Sequence, residues 1–486
     1  MSNSNFIRKE VIIKFIGVVL LFNAVFLLIA ATISFINTET SSLPLLFSGL
    51  ICVIFGLFPF IFVEDQDDIS FSEGLVIVVS SWLITCLIGM LPYLMWGGEF
   101  SLINAWFESV SGFTTTGSSI LNDIEHLPKG LLFWRSSTHW IGGVGVIMFV
   151  LLILPHATSS RLTLLNAEMS ELSKYNFRYK ARKIIRILAI VYVGLTLAQS
   201  LALYVSGMTL FDAINHSFAT IATGGFSTKN MSIAYFDNVL IESIIILFMI
   251  LAGIHFGLLY RTFTFQKDNI FTSSTVRSFV LILTLGVILV SAKLYLTGTY
   301  DFWNSIRYGA FQVVSLGSTT GFANADSAHW PAFTQIILIY FTIQCAMVGS
   351  TSGGLKFDRV LLFFHSLKKQ LILLQHPRAV IVVKLNSRNI SDNLEALTLV
   401  FIILYLFTLF ITTLVLAFFD VDLFTAFTAS VATIGNVVPG FGDVSSLANF
   451  SAIPGPGKLM LTINMLLGRL EMFNIIALLM LRKSNT

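Results

Sequence analysis

The stretch SVSGFTTTGS at residues 109–118 returns three times in altered form: SFATIATGGF at 217–226, VVSLGSTTGF at 313–322 and SVATIGNVVP at 430–439. Each version closes a short apolar segment that follows a long apolar span. Each is followed by a polar turn and another long span. The copies lie about a hundred residues apart, a period that points to four units arranged around one axis. Loops rich in hydroxyls and glycine are suited to presenting backbone carbonyls to a dehydrated cation.

Composition sets the surroundings of these loops. Of the 486 residues, 55% are hydrophobic and 11% charged, and the mean hydropathy is +0.84. A soluble chain carries roughly 25% charge, so the surplus apolar surface must face lipid. Cys52, Cys86 and Cys345 all sit in apolar runs and read as small hydrophobes, with neither metal spacing nor a disulfide framework. Arg8, Lys9 and Lys14 precede a long apolar span that lacks a small-residue cleavage site, so the N-terminus reads as a first helix.

Apolar spans run over 11–36 and 43–63, followed by an acidic connector at 64–68. Four units of long span, short span, loop and long span come next. They are 70–95, 102–113, 114–123 and 131–155; 184–206, 210–221, 222–235 and 237–261; 278–297, 302–316, 317–328 and an interrupted 333–374; and 393–419, 422–433, 434–454 and 457–481. Spans of about 20 apolar residues cross the hydrocarbon core, and those near 12 must enter and return on one side. The expected fold is an all-α polytopic membrane protein: an N-terminal helix pair (1–68) and four helix–pore loop–helix repeats in pseudo-fourfold array (69–160, 161–265, 266–388, 389–486). It has ten crossings and four re-entrant loops. With both termini cytoplasmic, 22 of the 29 Lys and Arg fall on the inner side, as the positive-inside rule requires.

Counted from its first residue, each stretch brings a glycine to position nine in three of the four copies: Gly117, Gly225 and Gly321. Thr115 and Thr116, Thr223 and Gly224, and Thr319 and Thr320 precede them; the fourth copy reads Asn436, Val437, Val438. Successive carbonyls that point one way need backbone with positive φ, which glycine adopts freely. Threonine adds a hydroxyl as ligand or brace. The preceding short helix aims its negative C-terminal end at the axis, which favours a cation. With no carboxylate in the loops, hard oxygens suit a weakly hydrated monovalent ion better than Ca²⁺ or Mg²⁺. The expected ion site is therefore the carbonyls of these twelve residues. Glu108, Asp123, Asp212, Asp237, Asp301, Asp326, Asp422 and Asp443 are expected as peripheral acids that gather cations at the mouth.

These motifs resemble the TrkH branch of the Trk/Ktr/HKT superfamily of potassium transport proteins. The resemblance spans nearly the whole chain. It rests on GFTTTGS at 112–118, ATGGFST at 222–228, STTGF at 318–322, PGFG at 439–442, HWIGGVG at 139–145 and LLGRLE at 466–471. It implies a potassium-channel-like pore in one chain, K⁺ bound by filter carbonyls, a homodimer in the bacterial inner membrane, and a cytosolic nucleotide-binding regulatory ring of the TrkA kind as partner. Val438 departs from the pattern, because the family carries a glycine there. A β-branched residue is costly at positive φ, so the fourth quadrant is expected to be strained, with Gly435 taking up part of the distortion.

Two features suggest a gate. The run 336–348 is too short to cross, so the helix is expected to break at Gly349, Ser350, Thr351, Ser352, Gly353 and Gly354 within the membrane and to obstruct the passage; a cytoplasmic loop past a tilted helix is the alternative. Arg469 lies inside the last span, 13 residues before Arg482 and so about 20 Å from that end of one helix. An intramembrane arginine faces a cavity or a partner, and here it is expected either to place charge in the pore or to pair with Glu471 or another subunit. The resemblance implies a gating loop and an arginine at these places.

The eight histidines have no metal spacing, and no nucleophile elbow, P-loop or nucleotide fingerprint occurs. No organic cofactor and no nucleic-acid partner are expected. The basic segments 161–186 and 356–388 fit either topology signalling or an acidic partner. The expected function is K⁺ uptake. Its rivals are a Na⁺-coupled or weakly selective cation uptake subunit, an intramembrane enzyme and a membrane scaffold.

Overall fold

The computed structural model describes residues 8–63, 69–143, 145, 181–386 and 388–481. The acidic connector, most of the basic segment 161–186, the rest of the first repeat's second span, Arg482 and Lys483 lie outside them.

An N-terminal pair, α1 (Lys9–Ile36) and α2 (Ser42–Phe62), packs against the first repeat. Two polar ties fix it there. Arg8 meets the Glu73 carboxylate at 2.8 Å at the start of α3 (Phe71–Gly89), where Ser70 and Glu73 form a capping box. Glu39 accepts from the Lys129 and Gly130 amides at 2.9 and 3.0 Å, satisfying the first turn of a later helix, Lys129–Gly143.

Each repeat then follows one plan. In the first, α3 and the short α4 (Leu91–Trp96) lead to pore helix α5 (Leu102–Phe113), the loop, and α6 (Lys129–Gly143). The second runs α7 (Ala181–Val205), pore helix α8 (Leu210–Ile221), α9 (Val239–Gly253) and α10 (Phe256–Phe263). The third runs α11 (Ser274–Leu296), pore helix α12 (Phe302–Gly317), α13 (Ala332–Gln344) and α14 (Phe357–Gln375). The fourth runs α15 (Asp392–Phe418), pore helix α16 (Leu423–Gly435), α17 (Gly455–Arg469) and α18 (Met472–Leu481). A two-stranded antiparallel hairpin, Lys384–Leu385 with Arg388–Asn389, is the one addition to an otherwise helical fold among the described residues.

Six helices among the described residues are long and apolar enough to cross a membrane. The pore helices have 12, 12, 16 and 13 residues, hence about 18–24 Å against a core of about 30 Å. They start from Ser101, Thr209, Asp301 and Asp422, of which all but Asp301 accept a first-turn amide on the side chain.

The second helices differ from the expectation of long spans broken only in the third repeat. α9 and α10 meet at 108° across Ile254 and His255. The last span breaks too: α17 ends at Arg469, and Glu471 takes φ 60 before α18 begins. Arg469 therefore closes a short helix and is not set 20 Å inside a long one. The break after α9 is made by tertiary bonds, since the Phe256 amide donates to the Gly349 carbonyl at 3.0 Å and Met347 to that of Gly253 at 3.1 Å.

Candidate functional site

The four loops leave their pore helices identically. The Thr115 amide donates to Gly112 O at 3.1 Å and Thr116 to Ser111 O at 3.0 Å; the same pair of bonds joins Thr223 to Thr220 and Gly224 to Ala219, Thr319 to Leu316 and Thr320 to Ser315, and Asn436 to Thr433 and Val437 to Ala432. This is the Schellman closure, which puts its turning residue in the left-handed region. The turning residues are Thr115, Thr223, Thr319 and Asn436, with φ of 56, 55, 65 and 52. Glycine is usual at such a position, and a β-branched threonine there stores of order 1–3 kcal/mol. Asparagine tolerates it better.

Two residues on, Gly117, Gly225 and Gly321 have φ of 83, 82 and 81. Their missing side chains make room for the next repeat. A Cβ on Gly117 would lie 2.0 Å from Gly224 O, one on Gly225 2.4 Å from Thr320 O, and one on Gly321 2.3 Å from Val438 O. Carbonyls of repeats two, three and four thus press on the glycine of the repeat before. The seam from fourth to first is closed by the Asn436 side chain, whose Nδ2 donates to Thr116 Oγ1 at 2.9 Å. Beyond the loops each seam is tied again. Asn230 receives the Ile124 amide and donates to Asp123; Ile233 and Ala234 donate to Ala323 O; Ser327 bonds Ser446; Phe450 donates to Ser119 O. The four repeats close a ring.

Val438 does not adopt positive φ, which corrects the expectation of a strained valine partly relieved by Gly435. Pro439 restricts the residue before it to extended backbone, and a β-branched side chain favours the same region. The left-handed turn falls on Asn436, and Gly435 is simply the last helical residue. The fourth loop differs in another way: the carbonyl facing its neighbour is that of the ninth residue, Val438, where loops two and three use the eighth.

Hydroxyls line the same region. Thr114 and Thr116 share a hydrogen bond of 2.8 Å, as do Ser318 and Thr320. Thr115 Oγ1, Ser118 Oγ and Thr319 Oγ1 are buried without a hydrogen-bond partner among the described residues. Buried polar oxygens ordinarily find a donor, so these suit a cation.

Two of the expected mouth acids do other work. Glu108 is fully buried, bonded by Arg135 Nε at 2.6 Å, by Ser119 Oγ at 3.0 Å and by the Ile120 amide at 3.1 Å. Arg135 also donates to Ser227 O at 3.0 Å, so the pair braces loops one and two. Asp212 is buried, bonded to Thr209 and Thr228. Asp123 remains exposed, and the Asn230 amide holds its carboxyl below the usual range. An intramembrane Glu108 and Arg135 are the sequence signal for this brace, but 27 positions separate them.

The segment between α13 and α14 packs against the C-terminal ends of pore helices α8 and α16. Thr351 Oγ1 donates to Ile221 O, the end of α8, at 3.0 Å. A Cβ on Gly353 would lie 2.4 Å from Asn436 Oδ1, and one on Gly354 2.8 Å from Gly435 Cα. Arg469 donates to Thr351 O, to Gly142 O and, at 2.6 Å, to Gly143 O. It therefore joins this segment to the last carbonyls of α6, where a helix end attracts positive charge. Lys356 Nζ bonds Ser352 O. Glu471 pairs with Arg359.

This ring of re-entrant loops has known counterparts. A family model described as TrkH, cation transport protein, matches residues 45–484. The chain belongs to the TrkH family of cation transport proteins. One TrkH-family relative, the Trk system potassium uptake protein TrkH of Salmonella typhimurium, is 35% identical over 419 residues, covering 85% of this chain and 86% of its own. The protein of that name from Vibrio parahaemolyticus is 31% identical and covers 96% and 98%. The crystal structure of the potassium transporter TrkH from Vibrio parahaemolyticus superposes with a TM-score of 0.87 at 28% identity, over 97% of this chain and 98% of that one. The TrkH fold of four helix–loop–helix repeats is therefore shared over nearly the whole length, and the family is one of transport proteins, not enzymes.

Proposed function

We propose that this chain takes up potassium across the bacterial inner membrane through the four-loop ring. K⁺ would be held by carbonyls of Thr115, Thr116, Gly117, Thr223, Gly224, Gly225, Thr319, Thr320, Gly321, Asn436, Val437 and Val438. The observation that carries the reading is the repeated left-handed turn followed by a carbonyl seated against the neighbouring repeat's glycine. Such a ring replaces a weakly held hydration shell at little cost, and four helix C-termini add negative potential.

The segment Gly349, Ser350, Thr351, Ser352, Gly353 and Gly354 is the gate in this reading. Arg469 holds it closed through the Thr351 carbonyl and adds a positive charge to the path. Relatives named as potassium uptake proteins support potassium as cargo. Cytoplasmic termini, a homodimer and a nucleotide-binding ring on the basic face complete the proposal, on the resemblance and the distribution of basic residues. Purified protein in liposomes tests the core of it: ⁸⁶Rb⁺ uptake driven by an outward K⁺ gradient is expected, and liposomes that stay as tight as protein-free ones would refute it.

A further inference from the structure

We propose that His139 is a positioning residue of the ion pathway, its imidazole fixing the filter loop of the second repeat to the pore helix of the first. The inference rests on the filter reading above and adds a residue that does not touch the ion.

His139 is fully buried on α6, four residues before its end. Its Nδ1 lies 2.7 Å from Gly112 O, and the Phe226 amide meets its Nε2 at 3.1 Å. A backbone N–H only donates, so Nε2 must carry a lone pair. The neutral ring then holds its proton on Nδ1 and gives it to Gly112 O. One partner is in the last turn of α5 and the other in the second loop. Gly112 O also accepts the Thr115 amide that closes the first left-handed turn, and Phe226 directly follows Gly225.

Packing makes the same point. The Phe226 ring stacks on the imidazole at 4.0 Å and 24°, and Arg135, one turn earlier, lies 3.5 Å from the centre of that ring. At position eight, loops one and three carry Thr116 and Thr320, but loop two carries Gly224. A Cβ there would come within 2.5 Å of the imidazole. The histidine thus occupies the space that a side chain fills in the other two loops. Four residues before the ends of α9 and α17 stand Met249 and Met465, whose side chains carry no N–H, and four before the end of α13 stands the exposed Tyr340. At the seam from fourth to first the equivalent tie comes from Asn436.

The test uses the full chain in proteoliposomes: wild type, His139→Met, His139→Gln and Gly225→Ser, each read as a K⁺/Na⁺ permeability ratio. His139→Met, which borrows the residue of the second and fourth repeats, is expected to lower the ratio by about threefold to tenfold through loss of two buried hydrogen bonds. His139→Gln, whose amide both donates and accepts, is expected to stay within about twofold of wild type. A monodisperse His139→Met with the wild-type ratio, beside a Gly225→Ser with a lowered one, overturns the proposal and leaves the filter standing. An unchanged ratio in Gly225→Ser overturns the filter reading and this inference with it. Should His139→Met fail to fold, ¹⁵N resonances of the wild-type imidazole decide. A neutral ring protonated on Nδ1 supports the proposal, and an Nε2-protonated or doubly protonated ring overturns it.

Discussion

Asn436 is the residue at which most of the site's parts meet. It makes the left-handed turn of the fourth loop, its Nδ2 bonds Thr116 Oγ1 and Met465 O at 2.9 Å each, and its Oδ1 faces Gly353 and Gly468. Asn436→Ala loses both bonds and puts alanine in a conformation it resists, so it should cost about 2–4 kcal/mol. Asn436→Gly keeps the turn and isolates the amide's share, about 1–3 kcal/mol. Thermal unfolding of the two purified variants checks the order; equal stability to wild type in both would remove the seam tie. Arg469 acts at the same scale. Arg469→Ala frees the Thr351 carbonyl and removes a charge from the path, so passive ⁸⁶Rb⁺ flux should rise with little change in the K⁺/Na⁺ ratio. Lower flux from a folded variant would make its role structural. The positive φ of Gly117, Gly225 and Gly321 was readable from the repeat alone, but the left-handed turn at Thr115, Thr223 and Thr319 was not, because threonine reads as a hydroxyl ligand or brace. The fate of Val438 was readable as well, from Pro439 beside it, but the glycine pattern of the other loops outweighed that signal. The partners of Glu108 and Arg469 were not readable, because each bond joins segments far apart in the chain.

Among elements, pore helices and second helices divide the labour. The pore helices matched their sequence limits to within two residues, because length, an N-cap and a polar loop mark both ends locally. The breaks after α9 and α17 left no comparable mark. The apolar run continues through 254–261 and 470–481, and the α9–α10 bend depends on two hydrogen bonds shared with the segment between α13 and α14. That segment is thereby built into the second repeat through Gly253 and Gly349, the pore helix ends through Thr351, and the last repeat through Arg469. Deleting residues 349–354 should open the path while removing no residue of the four loops. The expected result is a raised passive K⁺ or Rb⁺ flux with the K⁺/Na⁺ ratio kept, read in proteoliposomes. Unchanged flux from a correctly inserted deletion protein would count against the gate.

In the whole molecule four unequal repeats close one ring, which in the proposed reading discriminates among cations. Closure is carried by the four seams, whose chemistry differs: a carbonyl against a glycine at three of them and the Asn436 amide at the fourth. The most direct measurement is the zero-current potential of wild-type proteoliposomes with K⁺ on one side and Na⁺ on the other, repeated with a superimposed pH gradient. The expected potential is set by K⁺, is unmoved by pH and shifts toward zero in Gly225→Ser. A potential that follows Na⁺ or H⁺, or one that Gly225→Ser leaves in place, would contradict it.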